Sequence, residues 1–314
     1  MSKIAFVFPG QGSQIVGMGK ELADSSEVVQ GIFTKADKAL EEGLSSLIFN
    51  GPQETLTLTV NAQPSLLTTS IAILEKFKEA NIAPDYVAGH SLGEYTALVA
   101  SGALSFEDAV RTVRKRGEFM EEAVPAGKGT MAAILGMSNE DLQAVTDEIS
   151  AEGHPVQLAN INCPGQIVIS GSAKGVKQAC ELAKERGAKR AIPLEVSGPF
   201  HSSLMEPAAA KLRSVLDQIE INDANVPVVA NVNAQEMISA EAVKENLVKQ
   251  LFSPVLWENS IQYMLDQGVD TFIEIGPGKV LSGLIKKVNR RVATYAIGDI
   301  ETLEATIRAL KEGK

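Results

Sequence analysis

A serine between two glycines, in the stretch Gly89-His90-Ser91-Leu92-Gly93, constrains this chain more than any other feature of its sequence. An apolar run at 86–88 precedes it and an alanine-rich segment at 95–100 follows, so the pattern predicts a strand, a sharp turn and a helix. That is the context of a nucleophile elbow, in which a helix start stabilises a developing oxyanion. The pattern favours Ser91 as a nucleophile, although a glycine-rich loop with an incidental serine has the same signature.

Strands alternate with helices in the first part of the chain. The apolar run 4–8 is typical of a buried parallel strand, and it ends in a glycine-rich loop at 9–14. Helical spacing predicts a helix after a capping Ser26 and another from about Pro64 to Ala80. We therefore predict an α/β fold with a mainly parallel sheet and Ser91 at the carboxyl end of a strand, where such sheets hold their sites.

The order of predicted elements changes after a linker at 125–129. Strands at 131–135, 156–161, 166–170 and 190–194 enclose helices at 139–149, capped by Ser138, and at 173–186. This β-α-β-β-α-β order predicts an inserted ferredoxin-like small domain at 127–197. A discontinuous large α/β catalytic domain then comprises 1–126 and 198–314. Its second part is predicted to hold a helix to about 219, a strand at 226–230, helices at 240–251 and 257–265, a strand at 271–275 and a helix after Gly278.

Composition limits the functions open to the chain. A formal net charge of −10 disfavours a broad nucleic-acid-binding surface, although a local basic patch is compatible with it. Two cysteines, Cys163 and Cys180, cannot form a disulfide framework, and no repeated Cys/His spacing indicates a metal site. The first residues do not resemble a signal peptide, and no apolar stretch is long enough to span a bilayer. We expect a cytoplasmic protein with no membrane partner and no metal.

Three histidines compete for the role of base to Ser91. His90 precedes the serine, so its side chain should leave the turn on another side, and His154 lies in the predicted small domain. His201 lies in the loop where the large domain resumes, and it is the candidate base unless it is a satisfied loop histidine. No histidine follows it and no His-Gly-Gly-Gly motif is present, which disfavours the α/β-hydrolase arrangement. A carbonyl would then orient His201 in place of an acid.

Arg116 lies on the margin of the apolar stripe of a helix predicted from Ser105 to about Val124, whereas Arg111 and Lys115 point the opposite way. A partly buried guanidinium needs an anion. The sequence leaves open whether that anion is a ligand or a structural carboxylate, and a side chain that reaches back to solvent also fits.

Six short motifs follow one another along the chain: Phe8-Pro9-Gly10-Gln11-Gly12-Ser13-Gln14, Gly89-His90-Ser91-Leu92-Gly93-Glu94-Tyr95, Arg116-Gly117, Gly198-Pro199-Phe200-His201-Ser202, Gln250-Leu251-Phe252-Ser253-Pro254-Val255 and Glu274-Ile275-Gly276-Pro277-Gly278. In this order they resemble the malonyl-CoA:acyl carrier protein transacylases of bacterial type II fatty acid synthesis, over residues of about 3 to 290. The resemblance implies malonyl transfer from malonyl-CoA to the phosphopantetheine thiol of acyl carrier protein. It implies a ping-pong mechanism through a malonyl-serine, with no metal or redox cofactor.

The resemblance also implies a role for each matching residue. Ser91 would accept the acyl group, and His201 would act as general base and later as general acid. The imidazole would be held by the main-chain carbonyl of Gln250. The main-chain N–H groups of Gln11 and Leu92 would form the oxyanion hole.

Three further residues are implied to contact the substrate. Arg116 would bind the malonyl carboxylate through a bidentate pair. Gln63, in Asn61-Ala62-Gln63-Pro64, matches a position that lines the site, and the bulk of Phe200 next to His201 bears on acyl specificity. Rival interpretations are another acyl specificity, acetyl or methylmalonyl, a serine thioesterase, and a non-catalytic module that docks a carrier protein.

Two basic stretches are candidates for contact with an acidic carrier protein. They are Lys286-Lys287-Val288-Asn289-Arg290-Arg291 and Ala188-Lys189-Arg190. Solvated faces that bind nothing have the same composition. Because both stretches are close in sequence to site motifs, we expect them to border the same cleft.

Overall fold

Two β-sheets organise the chain in its computed structural model, which describes residues 2–125 and 127–312. Met1, Ala126, Gly313 and Lys314, which the predicted domain ranges include, lie outside the described residues. The predicted linker at 125–129 is therefore described except for Ala126. The strands are β1 (Lys3–Phe8), β2 (Tyr86–Gly89), β3 (Gly129–Leu135), β4 (Val156–Cys163), β5 (Gln166–Ser172), β6 (Arg190–Pro193), β7 (Val228–Val229), β8 (Glu236–Met237), β9 (Val269–Ile275) and β10 (Ala293–Ile297).

The helices divide between the two sheets. They are α1 (Lys20–Ser25), α2 (Glu27–Leu40), α3 (Leu44–Asn50), α4 (Gln53–Thr57), α5 (Thr59–Phe77), α6 (Leu92–Ala100), α7 (Phe106–Glu122), α8 (Asn139–Ala151), α9 (Ala173–Glu185), α10 (Glu206–Leu216), α11 (Ala240–Gln250), α12 (Trp257–Asp266), α13 (Val280–Val288) and α14 (Ile300–Glu312). No helix in the described ranges is both long enough and apolar enough to cross a membrane.

The larger sheet has six strands in the order β10-β9-β1-β2-β7-β8. Its strands pair in parallel except at the β8 edge, which is antiparallel to β7. Alternate residues of β1 explain its continuous apolar run, since Phe6 and Phe8 join one buried cluster while Ala5 and Val7 join another on the opposite face. Helices cover both faces. The predicted α/β fold with a mainly parallel sheet is confirmed.

The smaller sheet has four antiparallel strands in the order β4-β5-β3-β6. Helices α8 and α9 bury one of its faces, against residues such as Ile134 and Ile169. The other face adds Met131 and Val168 to the main core. A Cβ on Gly129 would meet the ring of Pro199 at 2.4 Å, so the chain enters and leaves this unit at neighbouring points.

Serine caps mark several helices where the sequence predicts them. Ser105 accepts a hydrogen bond from the Asp108 N–H at the start of α7, and Ser138 accepts one from the Asp141 N–H at α8. Ser26 occupies the N-cap position of α2, but its side chain makes no capping hydrogen bond. Local sequence thus fixes where these helices begin, even where the cap itself contributes nothing.

Helix α5 begins at Thr59, five residues before the predicted start at Pro64. Proline inside a helix removes one main-chain donor, which is why the sequence favours a start there. The additional turn packs closely on α7: a Cβ on Gly117 would meet Val60 Cα at 2.9 Å. Tertiary packing therefore extends the helix beyond its local signal.

Several elements were not predicted from the sequence, namely α1, α3, α4, β8, β10 and α14. The first three are short, at five to seven residues each, and carry too few turns for helical periodicity to show. Strand β10 lies at the sheet edge, where four of its five residues are half-buried rather than alternating. The predicted strand at 226–230 shortens to two residues.

Candidate active site

Ser91 lies between β2 and α6, in a turn that only glycine permits on either side. A Cβ on Gly89 would meet the Gly93 carbonyl at 1.9 Å, and one on Gly93 would meet Phe8 O at 2.1 Å. Ser91 itself has φ 51° and ψ −106°, a conformation that L-residues rarely adopt. The turn therefore packs Gly93 against the end of β1, and these close contacts hold Ser91 in its unusual conformation.

His201 is the histidine that meets Ser91. Its Nε2 lies 2.7 Å from Ser91 Oγ, and its Nδ1 lies 2.8 Å from the main-chain O of Gln250. The imidazole is 3% exposed, and the residue has a φ of 56°. Because the Gln250 carbonyl accepts from Nδ1–H, the neutral ring presents a bare Nε2 to the serine hydroxyl. A main-chain carbonyl thus occupies the position that an acid holds in a serine–histidine–aspartate triad.

The Arg116 side chain extends from α7 to Ser91 Oγ, and the residue is only 1% exposed. Its Nη1 donates to Gln63 Oε1 at 2.7 Å, and its Nη2 donates to Gln250 Oε1 at 2.9 Å and to Ser91 Oγ at 3.1 Å. Within the described residues, no carboxylate pairs with this guanidinium within 4.0 Å. A buried cation held by neutral amides retains the capacity to bind an anion.

Burial sets the charge state of the base. Burial first, and then the positive charge of Arg116, lower the pKa of His201 to about 3, against the opposing effect of the Gln250 carbonyl. Burial also lowers the pKa of Arg116, which stays charged because an arginine keeps its proton across the physiological range. His201 is therefore neutral near pH 7, the form that accepts a proton from Ser91.

The two main-chain amides expected to stabilise an oxyanion lie on adjoining elements. Leu92 is the first residue of α6, where a main-chain N–H has no partner within the helix. Gln11 lies in the loop after β1, and this loop packs on the turn, since a Cβ on Gly10 would meet His90 O at 2.4 Å. The side chain of Gln11 donates to Thr59 Oγ1, which also contacts Ser197 Oγ at 3.1 Å.

A cavity of about 420 Å³ opens onto Ser91 and His201. Its lining includes Gln11 from the loop after β1, Met120 from α7 and Met131 from β3. Phe200, 5% exposed, also lines it. Gln63, which was expected to line the site, is not among the lining residues: it is completely buried, and its Nε2 donates to Met120 Sδ. In the described part of the chain, no three His, Cys, Asp or Glu side chains group to hold a metal ion.

The other histidines take no part in the contact with Ser91. His90 Nε2 lies 2.8 Å from Asn162 Oδ1, and the His90 ring meets Trp257 edge-on. Burial lowers the pKa of His90. His154 lies in the small unit, where its carbonyl is next to Gly175. The structure thus brings together Ser91, His201 and the Gln250 carbonyl.

A buried polar network beneath Ser91 includes two residues that the sequence did not single out. Asn231 Oδ1 accepts from the Ser91 N–H at 2.8 Å, and its Nδ2 donates to Gly89 O at 2.8 Å. Glu94 Oε2 accepts from the Asn231 N–H at 2.9 Å and from Gln250 Nε2 at 3.1 Å. Glu94 had a signal, as part of a motif on the first helical turn, whereas Asn231 had none.

Comparisons with known proteins match nearly the whole chain. The acyl transferase domain family matches residues 5–301. A Bacillus subtilis (strain 168) protein, malonyl CoA-acyl carrier protein transacylase, is 67% identical over 312 residues, 99% of this chain and 98% of the relative. A Clostridium perfringens structure of the same description superposes with a TM-score of 0.96 at 44% identity, covering 99% of this chain and 98% of that one. The malonyl-transacylase in a complex with its type II PKS acyl-carrier protein superposes with a TM-score of 0.95 at 44% identity, covering 98% of this chain and 100% of that one.

Proposed function

We propose, from the premise that this chain belongs to the acyl transferase family and within it to the malonyl CoA-acyl carrier protein transacylases, that Ser91 carries the transferred malonyl group. The protein is an acyltransferase that moves malonyl from malonyl-CoA to acyl carrier protein for fatty acid synthesis. Its partners are those two substrates.

One observation carries the assignment of the acyl group. Arg116 is a buried cation whose Nη2 is 3.1 Å from Ser91 Oγ, and neutral amides hold it on both other contacts. A guanidinium fork pairs both oxygens of a carboxylate, whereas an uncharged acyl chain leaves the buried charge without an anion. This arrangement favours an acyl group that ends in a carboxylate, as malonyl does.

Acylation then follows from the contacts around Ser91. Ser91 Oγ attacks the thioester carbon while its proton passes to His201 Nε2, 2.7 Å away, and the carbonyl oxygen becomes an oxyanion. The N–H groups of Gln11 and Leu92 stabilise that oxyanion. As the C–S bond breaks, His201 returns the proton to the departing sulfur of coenzyme A. Malonyl-Ser91 remains, and His201 is again neutral.

Deacylation repeats these steps in the opposite direction. The phosphopantetheine thiol of acyl carrier protein gives its proton to His201 Nε2 and attacks the ester carbon. The C–O bond breaks, and Ser91 Oγ takes the proton back. Atoms and charges balance without a metal or a redox cofactor, so the proposed mechanism requires none.

We further propose that the turn at Ser91 is a nucleophile elbow and that 127–197 forms a ferredoxin-like small domain inserted in a large domain of 1–126 and 198–314. The positive φ of Ser91 between β2 and α6 supports the first assignment. The order β4-β5-β3-β6 with two helices on one face supports the second, as does the contact of Gly129 with Pro199 at the crossing point.

The two basic stretches are proposed to receive acyl carrier protein. They approach the same hairpin turn between β4 and β5: Lys287 Nζ donates to Gln166 Oε1 at 2.9 Å, and Lys189 packs beside Gly136, whose N–H donates to Gly165 O at 2.8 Å. Lys286 differs, because its ammonium donates to the main-chain oxygens of Arg290 and Val292. These hydrogen bonds hold the Lys286 ammonium against residues 290–292 of its own loop.

The proposed function is tested by finding which acyl group Ser91 retains. Equal amounts of malonyl-, methylmalonyl- and acetyl-CoA are mixed with the protein, which is then quenched for intact-protein mass spectrometry. We expect a malonyl adduct that disappears when holo-acyl carrier protein is added, with malonyl-carrier protein formed. Dominant acetyl or methylmalonyl labelling would assign another specificity. Loss of the adduct to free malonate without carrier protein would assign a thioesterase, and no adduct would leave a docking module.

A further inference from the structure

Glu94 is a completely buried carboxylate that lies three residues after Ser91, on the first turn of α6. The proposed reaction uses it for no proton transfer and no substrate contact. A buried carboxylate is costly unless it is hydrogen-bonded, so its presence beside the nucleophile calls for a role. Its contacts, rather than its charge alone, indicate that role.

One oxygen of Glu94 joins two distant segments. Oε2 accepts from the main-chain N–H of Asn231, after β7, and from Nε2 of Gln250, at the end of α11. Within the described residues, the other oxygen, Oε1, is buried and has no hydrogen-bond partner. The carboxylate is therefore placed by two donors that each contact the site.

Each donor holds a different part of the site. Asn231 holds the strained turn, through the Ser91 N–H and the Gly89 carbonyl. Gln250 holds the base and the guanidinium. Its main-chain O accepts from His201, and its side-chain Oε1 accepts from Arg116 Nη2 at 2.9 Å. Glu94 is thus connected through one intervening residue to Ser91, His201 and Arg116.

The Gln250 amide links Glu94 to Arg116 with a defined direction. Its Nε2 faces the Glu94 carboxylate and Ser91 O, which leaves its Oε1 for the guanidinium. Arg116 thus donates to the neutral Oε1 of Gln250, and Gln250 separates the guanidinium from the Glu94 carboxylate. A direct ion pair would neutralise the guanidinium, whereas this arrangement leaves its charge for a substrate carboxylate.

We propose that Glu94 is a positioning residue that, through Gln250 and Asn231, holds Arg116 and Ser91 in the geometry that selects a carboxylated acyl group. The inference rests on the proposed function. It requires a hydrogen-bond acceptor at Glu94 Oε2 of the right reach. A glutamine supplies that acceptor with its carbonyl oxygen, whereas an aspartate is one methylene too short to meet both donors.

The test is the ratio of single-turnover acylation rates with malonyl-CoA and acetyl-CoA, measured on the full chain. We expect Glu94→Asp to lower the malonyl-to-acetyl ratio by about tenfold, as for loss of one or two buried hydrogen bonds, and Glu94→Gln to stay within about threefold of wild type. A merely structural role would lower both rates equally. An unchanged ratio in Glu94→Asp, or an equal loss in Glu94→Gln, overturns the proposal.

A double-mutant cycle shows whether Glu94 acts through Gln250. Gln250→Ala removes the amide but keeps the main-chain oxygen that holds His201. If Glu94 acts through the amide, Glu94→Asp should change the ratio by less than about twofold in the Gln250→Ala background. A full tenfold effect there would place the influence of Glu94 elsewhere.

Controls separate this inference from its premise. If wild type acquires no malonyl on Ser91, the proposed function fails; if it does and the variants keep its ratio, only the role of Glu94 fails. Glu274→Gln is a matched buried carboxylate that accepts from Leu281 and Ser282 outside this network, and it should leave the ratio unchanged. If Glu94→Asp does not fold, the malonyl-to-acetyl ratio is measured in Gln250→Ala and in Glu94→Gln instead. An unchanged ratio in Gln250→Ala then overturns the proposal.

Discussion

Arg116 Nη2 lies 3.1 Å from Ser91 Oγ, so the group expected to bind the substrate carboxylate also touches the nucleophile before substrate arrives. If a substrate carboxylate draws the guanidinium toward itself, the serine oxygen loses that donor and a lone pair of Oγ becomes available for attack. Recognition of the acyl chain and readiness of the nucleophile are thereby joined in one side chain.

Arg116→Ala should lose malonyl transfer and gain, in relative terms, with acetyl-CoA. The substitution removes the cation that pairs with the malonyl carboxylate, whereas an acetyl group has no carboxylate and loses no ion pair. We expect the malonyl-to-acetyl ratio to fall by at least about 10², the range for loss of a charge-assisted bidentate pair. Arg111→Ala, on the exposed side of the same helix, is the matched control and should keep the ratio. Retention of the wild-type ratio in Arg116→Ala would refute the assignment.

Ser91→Ala should abolish labelling by malonyl-CoA without unfolding the protein. The substitution removes only the Oγ, while the contact of the Ser91 N–H with Asn231 remains. Intact-protein mass spectrometry after incubation with malonyl-CoA measures the outcome. Ser214→Ala, at an exposed serine of α10, should label as wild type does. A malonyl adduct on the Ser91→Ala protein would move the acylated residue elsewhere.

His201→Ala should slow acylation by a factor on the order of 10² to 10⁴, the usual contribution of a general base. Because the pKa of His201 is lowered to about 3, the imidazole stays neutral throughout pH 5.5 to 8. The ratio of wild-type to variant rates should therefore be constant across that range. A ratio that falls at the acid end would show that His201 titrates there and that its site is less buried than described.

Glu94→Gln should gain stability relative to wild type as pH rises. Burial raises the pKa of the Glu94 carboxyl from 4.5 to about 7, so the folded protein holds this proton more tightly than the unfolded chain. The stabilising effect of that proton is complete below pH 4.5 and is lost as pH rises to about 7. At about 1.4 kcal/mol for each tenfold change in proton affinity, wild type loses roughly 3 kcal/mol relative to the glutamine variant.

Urea unfolding of both proteins at pH 4.5, 6 and 7.5 measures this difference. Glu304→Gln, at an exposed carboxylate of α14, is the control and should show no comparable slope. A difference between Glu94→Gln and wild type that is the same at all three pH values would mean that Glu94 ionises normally in the folded protein.

Charge reversal at Lys189 and Lys287 together should raise the apparent KM for acyl carrier protein while leaving acylation by malonyl-CoA unchanged. Both residues approach the β4–β5 turn, and an acidic partner loses two favourable charges there. We choose Lys287 and not Lys286 for the reversal, because the Lys286 ammonium donates to Val292 O and its reversal would also disturb that loop. Added salt should reproduce the effect on wild type. Equal kinetics at low salt would place docking on another surface.

Local signals determined which parts of this molecule were predictable. The apolar run of β1, the turn around Ser91 and the capped helix α7 each depend on residues adjacent in sequence, and each was predicted with nearly its observed bounds. The early start of α5 depends instead on its contact with Gly117, which no local pattern encodes. Strand β10 gains its partners only when the sheet assembles.

The site divides in the same way. Local pattern favoured Ser91, and helical spacing placed Arg116 at the margin of a buried face. The role of Arg116 and the contact of Gln250 with His201 came only from resemblance to a family. Asn231 and Glu94 meet across 137 residues of sequence, and an asparagine in a loop has no feature that marks such a contact. Because the fold brings these two residues together, the motif that contains Glu94 could not identify Asn231 as its partner.

The contact of Gly129 with Pro199 has a consequence for how such a molecule diversifies. The two chain crossings nearly touch, but the segment between them is also held at β4, where the Ile161 N–H donates to Val255 O and the Val255 N–H donates to Ala159 O. A relative's segment with the same two ends keeps the spacing of Ser91 from His201 only if it also keeps these two hydrogen bonds. Chimeras exchanged at these two points should therefore inherit the outer wall of the cavity from the donor and the acyl chemistry from the recipient.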